Sequence, residues 1–101
     1  MQLIIFKEVD VFAESFQKPT RAKWLRNITL LTQYGDNLGM PHARRLTSNL
    51  SELRIRGTQE IRAFYACIGD KVFIVHAFIK KTQKIPKREI EIAEKRLQLL
   101  T

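Results

Sequence analysis

The sequence predicts an α+β fold in which helices pack against one twisted antiparallel sheet. Two apolar runs rich in β-branched and aromatic residues, Ile61 to Ile68 and Val72 to Ile79, flank Gly69-Asp70. Glycine at the first of two turn positions is what a II′ hairpin requires. Ala22, Leu25, Ile28 and Leu31, and later Ile90, Ala93, Leu97 and Leu100, recur at helical spacing on either side of that hairpin. Leu53 and Ile55 alternate with Glu52, Arg54 and Arg56, the period-two pattern of a strand with one buried face. The predicted order is strand, two helices, four strands, helix.

Taken in order, Leu3 to Phe6 is a short buried strand, since strands covered on both faces lose their alternation. Asp10 is placed to cap a short helix holding Val11, Phe12, Ala13 and Phe16. Pro19 suits the first position of the next helix, which runs to Tyr34 and stops at Gly35. Trp24 lies beside its apolar stripe and reads as packing. Turn formers from Asp36 to Pro41 lead to an edge strand, His42 to Leu46, and Thr47-Ser-Asn49 turns into a strand from Leu50 to Arg56. Arg62 shares the parity of Phe64 and Ala66, so a cation projects among neighbours that look buried and needs a partner or a purpose. Pro86 opens the last helix. Ile85 before it is a poor cap, and Lys87 and Arg88 occupy a first turn that favours acids.

Composition narrows the function. A 101-residue chain with 45% hydrophobic and 28% charged residues reads as one ordered domain, residues 1–101. It has no apolar run near the ~20 residues of a membrane span. The start lacks the basic and small-residue signature of a signal peptide, which places the chain in the cytoplasm. Cys67 is the one cysteine, which excludes an internal disulfide; inside a strand it reads as a small core hydrophobe. The net charge of +8 is concentrated, because residues 42–88 hold eleven Lys/Arg against three Asp/Glu. Such a one-sided field favours a polyanion, most often nucleic acid.

Walker, Rossmann, HExxH and nucleophile-elbow signatures are absent. Only Glu52, Glu60 and Asp70 supply carboxylates between His42 and Arg88, too few for two-metal chemistry. RNA cleavage without metal or cofactor fits better. The 2′-OH attacks its own phosphate, and the protein has to align it, take a proton and stabilise the developing charge. Arg54, Arg56 and Arg62 on adjacent strands, with Lys80 or Lys81 at the end of the next, are placed to converge on one phosphate. His42, His76, Tyr65 and a lysine of lowered pKa are all candidate proton acceptors. His76, alternating with Val72, Ile74 and Phe78, reads as a core histidine, and His42 is the preferred candidate.

Leu53-Arg-Ile-Arg-Gly57, Ile61-Arg-Ala-Phe-Tyr65 and the run His76 to Ala93, with Tyr34 to His42 and Arg45-Leu46 upstream, resemble the phage Gp49-like branch of HigB toxins in the RelE/ParE superfamily. The resemblance implies a RelE-like fold with a twisted antiparallel sheet backed by two N-terminal helices. It implies a type II toxin that cleaves mRNA at the ribosome, is neutralised by a HigA-like helix-turn-helix antitoxin, and meets operator DNA only through that antitoxin. On this pattern Arg62, Lys80-Lys81 and, from the preceding strand, Arg56 are catalytic. The reading of the residues adds His42 to that set and Arg44, Arg45, Arg54, Lys84, Lys87 and Arg88 as holders of RNA. Ala77 replaces a usual glycine, Ile85 a usual threonine, and the C-terminal tyrosine of some RelE-like enzymes has no counterpart. The competing expectations are a ParE-like inhibitor of a DNA-processing enzyme such as gyrase, and an inactive relative that only binds its antitoxin.

Overall fold

The structure, a computed structural model, describes residues 1–100. The chain forms β1 (Gln2–Ile5), α1 (Lys7–Ala13), α2 (Lys18–Tyr34), a single 3-10 turn at Gly35–Asn37, β2 (Ala43–Arg45), β3 (Ser51–Ile55), β4 (Ile61–Ile68), β5 (Lys71–Ile79) and α3 (Lys87–Gln98). This is the predicted order. The five strands make one sheet in the order β1-β5-β4-β3-β2.

The sheet departs from the expected antiparallel arrangement at one edge, where β1 pairs parallel to β5 from Gln2↔Lys71 to Ile5↔Ile74. Leu3, Ile4 and Ile5 are half-buried on this edge strand and not covered on both faces as expected, and an apolar run does not record direction. The intervening helices bring β1 back alongside β5, as a parallel partner requires. The β4–β5 hairpin is as expected, with Gly69 at φ +62 in its two-residue turn.

Each face of the sheet has its own core. On one face α1 and α2 cover Leu53, Ile55, Ile61, Ala63, Tyr65, Val72 and Ile74. On the other, α3 lays Ile90, Ala93 and Leu97 over Phe64, Val75 and Phe78. The α2 stripe differs from the expected one: Thr20, Trp24, Ile28 and Leu31 face inward, while Leu25 is 51% exposed. Trp24 meets Phe16 edge-on in this core, the packing role expected of it. Helix α1 starts at Lys7 directly from β1, with Phe6 at the N-cap, so Asp10 lies within the helix instead of capping it.

A bulge in β5 reassigns His76. Tyr65 pairs with Ile74 but Phe64 pairs with His76, leaving Val75 as the extra residue. Parity switches there. His76 therefore leaves the face of Val72 and Ile74 and stacks on Phe78 under α3. The Val75 carbonyl accepts from Arg96 Nη1 at 3.0 Å. The same Arg96 nitrogen donates to His76 Nδ1 at 3.2 Å, so Nε2 carries the proton and donates to Glu89 Oε1 at 2.7 Å. Both ring nitrogens are used structurally.

Burial holds the His76 pKa below its ordinary 6.5, assisted by Arg96 and opposed by the Glu89 carboxylate. The unfolded chain therefore takes up the proton first as pH falls. The stabilisation is complete above 6.5 and is lost as pH falls through the lower folded value. Urea midpoints should drop between pH 7.5 and 5.5 in the native protein and drop less in His76→Gln. Equal slopes in the two would contradict this arrangement.

Candidate nucleic-acid interface

Helix α3 covers β5 on its face of the sheet, and beyond it the surface is built by arginines. Register places Arg44 opposite Glu52, Arg54 opposite Arg62, and Glu52 opposite Phe64. Glu52 is only 1% exposed and lies at the centre. Its Oε1 accepts from Arg44 Nε at 3.1 Å and stands 3.8 Å from Arg54 Nε; its Oε2 stands 3.6 Å from Arg62 Nε. Arg62, itself 4% exposed, donates through Nη1 to Glu60 Oε2 at 3.0 Å and to its own strand's Ile61 carbonyl at 3.3 Å. Arg56 pairs with the other Glu60 oxygen at 3.6 Å. The partner that Arg62 needed is thus a pair of carboxylates. Even so, Glu52 Oε2 and Arg54 Nε remain without hydrogen bonds.

The main chain adds lysines. The Lys80 N–H donates to the Glu60 carbonyl at 2.7 Å, continuing the β4–β5 ladder past Ile79 and bringing the 80–83 loop beside Arg62. Lys80 Nζ donates to the Gln83 carbonyl at 2.9 Å. The result is an open groove of about 500 Å³ lined by Arg54, Arg56, Glu60, Arg62, Lys80, Lys81, Thr82 and Gln83. It gathers four of the five residues expected to be catalytic, together with Arg54.

The others lie elsewhere. His42 lines a neighbouring depression of about 230 Å³ with Lys23, Arg26, Asn27, Pro41, Arg54 and Arg56. Arg44 joins the fan through Glu52 but is half exposed outside the groove. Arg45 lines a different cleft, with Asp36, Cys67 and Glu94. Lys84, Lys87 and Arg88 are exposed near the start of α3, and Arg88 stands 3.6 Å from Glu89. That helix begins one residue later than expected, with Pro86 at the N-cap. Its first turn does contain an acid, Glu89, and Ile85 packs into the core beneath α3 instead of capping.

Two groups considered for proton transfer are withdrawn from solvent. Tyr65 lies 2% exposed in the core on the α1–α2 face, and burial pushes its hydroxyl up to about 12. His76 is engaged at both nitrogens. Burial, then a hydrogen bond with Asp36, likewise pushes the Cys67 thiol up to about 12, far from a reactive thiolate. Among the described residues no cluster of three or more His, Cys, Asp or Glu is placed to hold a metal ion. No described helix is long and apolar enough to cross a membrane.

Sequence reasoning missed the roles of Glu52 and Glu60, and the cations that α2 contributes. Glu52 had a readable signal: one acid sharing a strand face with Arg54 and Arg56. Lys23 and Arg26 had none, because helical spacing does not say which strand end a helix face will meet.

Fold and groove together define an α+β protein that presents anchored arginines around a buried carboxylate. The family model described as phage derived protein Gp49-like (DUF891) matches residues 12–98, and the chain belongs to this toxin-like family. No curated protein matches it.

Replacing Glu52 by alanine removes one of the two carboxylates of Arg62 and leaves Glu60 as the other. The change should destabilise the fold by about 1–3 kcal/mol in urea titrations, the usual cost of leaving buried polar groups short of a partner. A loss below 1 kcal/mol would show that the arginines do not depend on Glu52.

Proposed function

We propose that the groove binds a phosphodiester of mRNA and promotes its cleavage by the adjacent 2′-OH without metal or cofactor. On this reading the protein is the toxin of a type II toxin–antitoxin pair that halts translation at the ribosome. The observation that carries it is the convergence of Arg54, Arg56, Arg62, Lys80 and Lys81 on one groove whose only carboxylate among the described residues, Glu60, is engaged by two arginines. Charge that develops on a pentavalent phosphate is best met by donors already fixed in place, and Arg62 is fixed from three sides.

The roles divide by anchoring. Arg62, held deep in the groove, fixes one side of the phosphate. Arg56 and Lys81, at the rim, neutralise its remaining oxygens. Lys80 or Lys81 passes the proton to the departing 5′-oxygen, and the proton of the 2′-OH goes to a lysine or to solvent; His42 lies across Arg54 and Arg56 in the neighbouring depression. Family membership supports the toxin class. The concentrated positive charge supports an acidic antitoxin segment that masks the groove when the protein is not acting. The adjacent reading frame should then encode a helix-turn-helix protein that co-purifies with this chain.

Brief induction in a bacterial host should stop translation and create new RNA 5′ ends inside coding regions. Lys80→Gln/Lys81→Gln, which touches no buried pair, should lower cleavage by at least about 10²–10³-fold, the usual effect of removing a single transition-state donor. DNA damage with intact mRNA would point instead to inhibition of a DNA-processing enzyme. Harmless expression of a folded protein would make it an antitoxin-binding relative only.

A further inference from the structure

The depression beside the groove differs in charge from the groove and from the cleft near Arg45. Among the described residues it is lined by Lys23, Arg26, Arg54 and Arg56 and by no carboxylate. The groove contains Glu60, and the cleft near Arg45 contains Asp36 and Glu94. Glu52 and Glu60, which pair with Arg54 and Arg56, do not line this space, so the four cations facing it repel one another across it, and an anion relieves that repulsion.

Of the α2 cations, Lys23 is held there by a specific bond, beside a second bond from Asn27. Lys23 Nζ donates to the Arg56 carbonyl and Asn27 Nδ2 to the Arg54 carbonyl, each at 3.0 Å, fastening the helix to the end of β3. Gly57 leaves room for this: a Cβ there would sit 2.8 Å from Lys23 Nζ and push the ammonium away. Arg26 follows Lys23 by three residues, on the same face of α2. It is exposed and makes no ion pair among the described residues. Arg54 and Arg56 line both spaces, so a strand leaving the groove over them enters the depression next.

We infer that this depression, with Lys23 and Arg26 facing Arg54 and Arg56, is a second phosphate site for the single-stranded RNA whose neighbouring phosphodiester lies in the groove. The inference rests on the RNA reading of the groove. A single strand fits better than a duplex, because two concavities sharing a wall require a backbone that bends between adjacent phosphates. Lys23 and Arg26 then set affinity and register and leave the chemical step to the groove.

The test uses fluorescence anisotropy with uncleavable 2′-O-methyl oligonucleotides of two and six residues across a salt series; the dinucleotide has a single phosphodiester and cannot reach both spaces. Arg26→Gln, which breaks no hydrogen bond, and Lys23→Gln/Arg26→Gln are compared with Lys95→Gln, a charge-matched change on the exposed side of α3. Loss of the second phosphate should weaken hexanucleotide binding several-fold and make its log–log salt slope shallower by about 0.7. Dinucleotide binding should stay near the native value. In cleavage assays KM should rise while kcat holds. Hexanucleotide affinity and slope equal to those of Lys95→Gln would overturn the site. So would an equal loss on the dinucleotide and on duplex DNA, which would describe a diffuse basic surface. Lys80→Gln/Lys81→Gln tests the groove separately: undiminished dinucleotide binding in that variant would reject the groove reading, whatever Arg26 does.

Discussion

A single buried carboxylate organises the arginine-rich face. Glu52 brings Arg44, Arg54 and Arg62 within ion-pair distance of one another's partner on three adjacent strands. Without it, like charges packed this closely in a low-dielectric surface would spread apart or pull the strand ends open. With Glu60 it sets two negative charges against the six positive ones of Arg44, Arg54, Arg56, Arg62, Lys80 and Lys81. That is enough to order the fan but leaves a large positive excess. The incomplete hydrogen bonding of Glu52 Oε2 and Arg54 Nε fits a cluster whose donors are held in place without being fully used. Such arginines are oriented before any ligand arrives, so little reorganisation is needed when a phosphate enters.

The rest of the fold keeps this face open. Two helices fill the opposite side of the sheet, so the strands need no further cover there. On the working side, α3 covers only β5 and its neighbours, secured by the bulge at Val75 and the chain Glu89–His76–Arg96. Helix α2 contributes twice: Trp24, Ile28 and Leu31 go into the core, and Lys23 and Asn27 cap the last carbonyls of β3. Core packing and the fastening of β3 share one helix through its two faces.

Much of this was legible in the sequence because it rests on short-range rules. Period-two alternation in β3, the Gly-Asp turn and the α3 stripe lead directly to the elements observed. The parity of Arg62 with Phe64 was enough to expect a partnered buried cation. What could not be read depends on relations between distant segments. The direction of β1 is set by the path of two helices, and the inward face of α2 by which strand it crosses. The face of His76 turns on one inserted residue that leaves no mark in an unbroken apolar run. For the groove, Arg54, Arg56, Arg62, Lys80 and Lys81 were foreseen as a set. Arg45 and His42 were separated from them because neighbouring strand positions diverge once β2 becomes a short edge.

The central claim is that anchored arginines around Glu52 receive a phosphate. It is tested most directly by following the guanidinium Nε–H signals by NMR as an uncleavable single-stranded oligonucleotide is added. The account predicts that the signals of Arg54, Arg56 and Arg62 shift together and saturably, while that of Arg96, engaged by Val75 and His76 under α3, stays in place. Shifts confined to Arg88 and its neighbours, with the Glu52 fan unmoved, would contradict it.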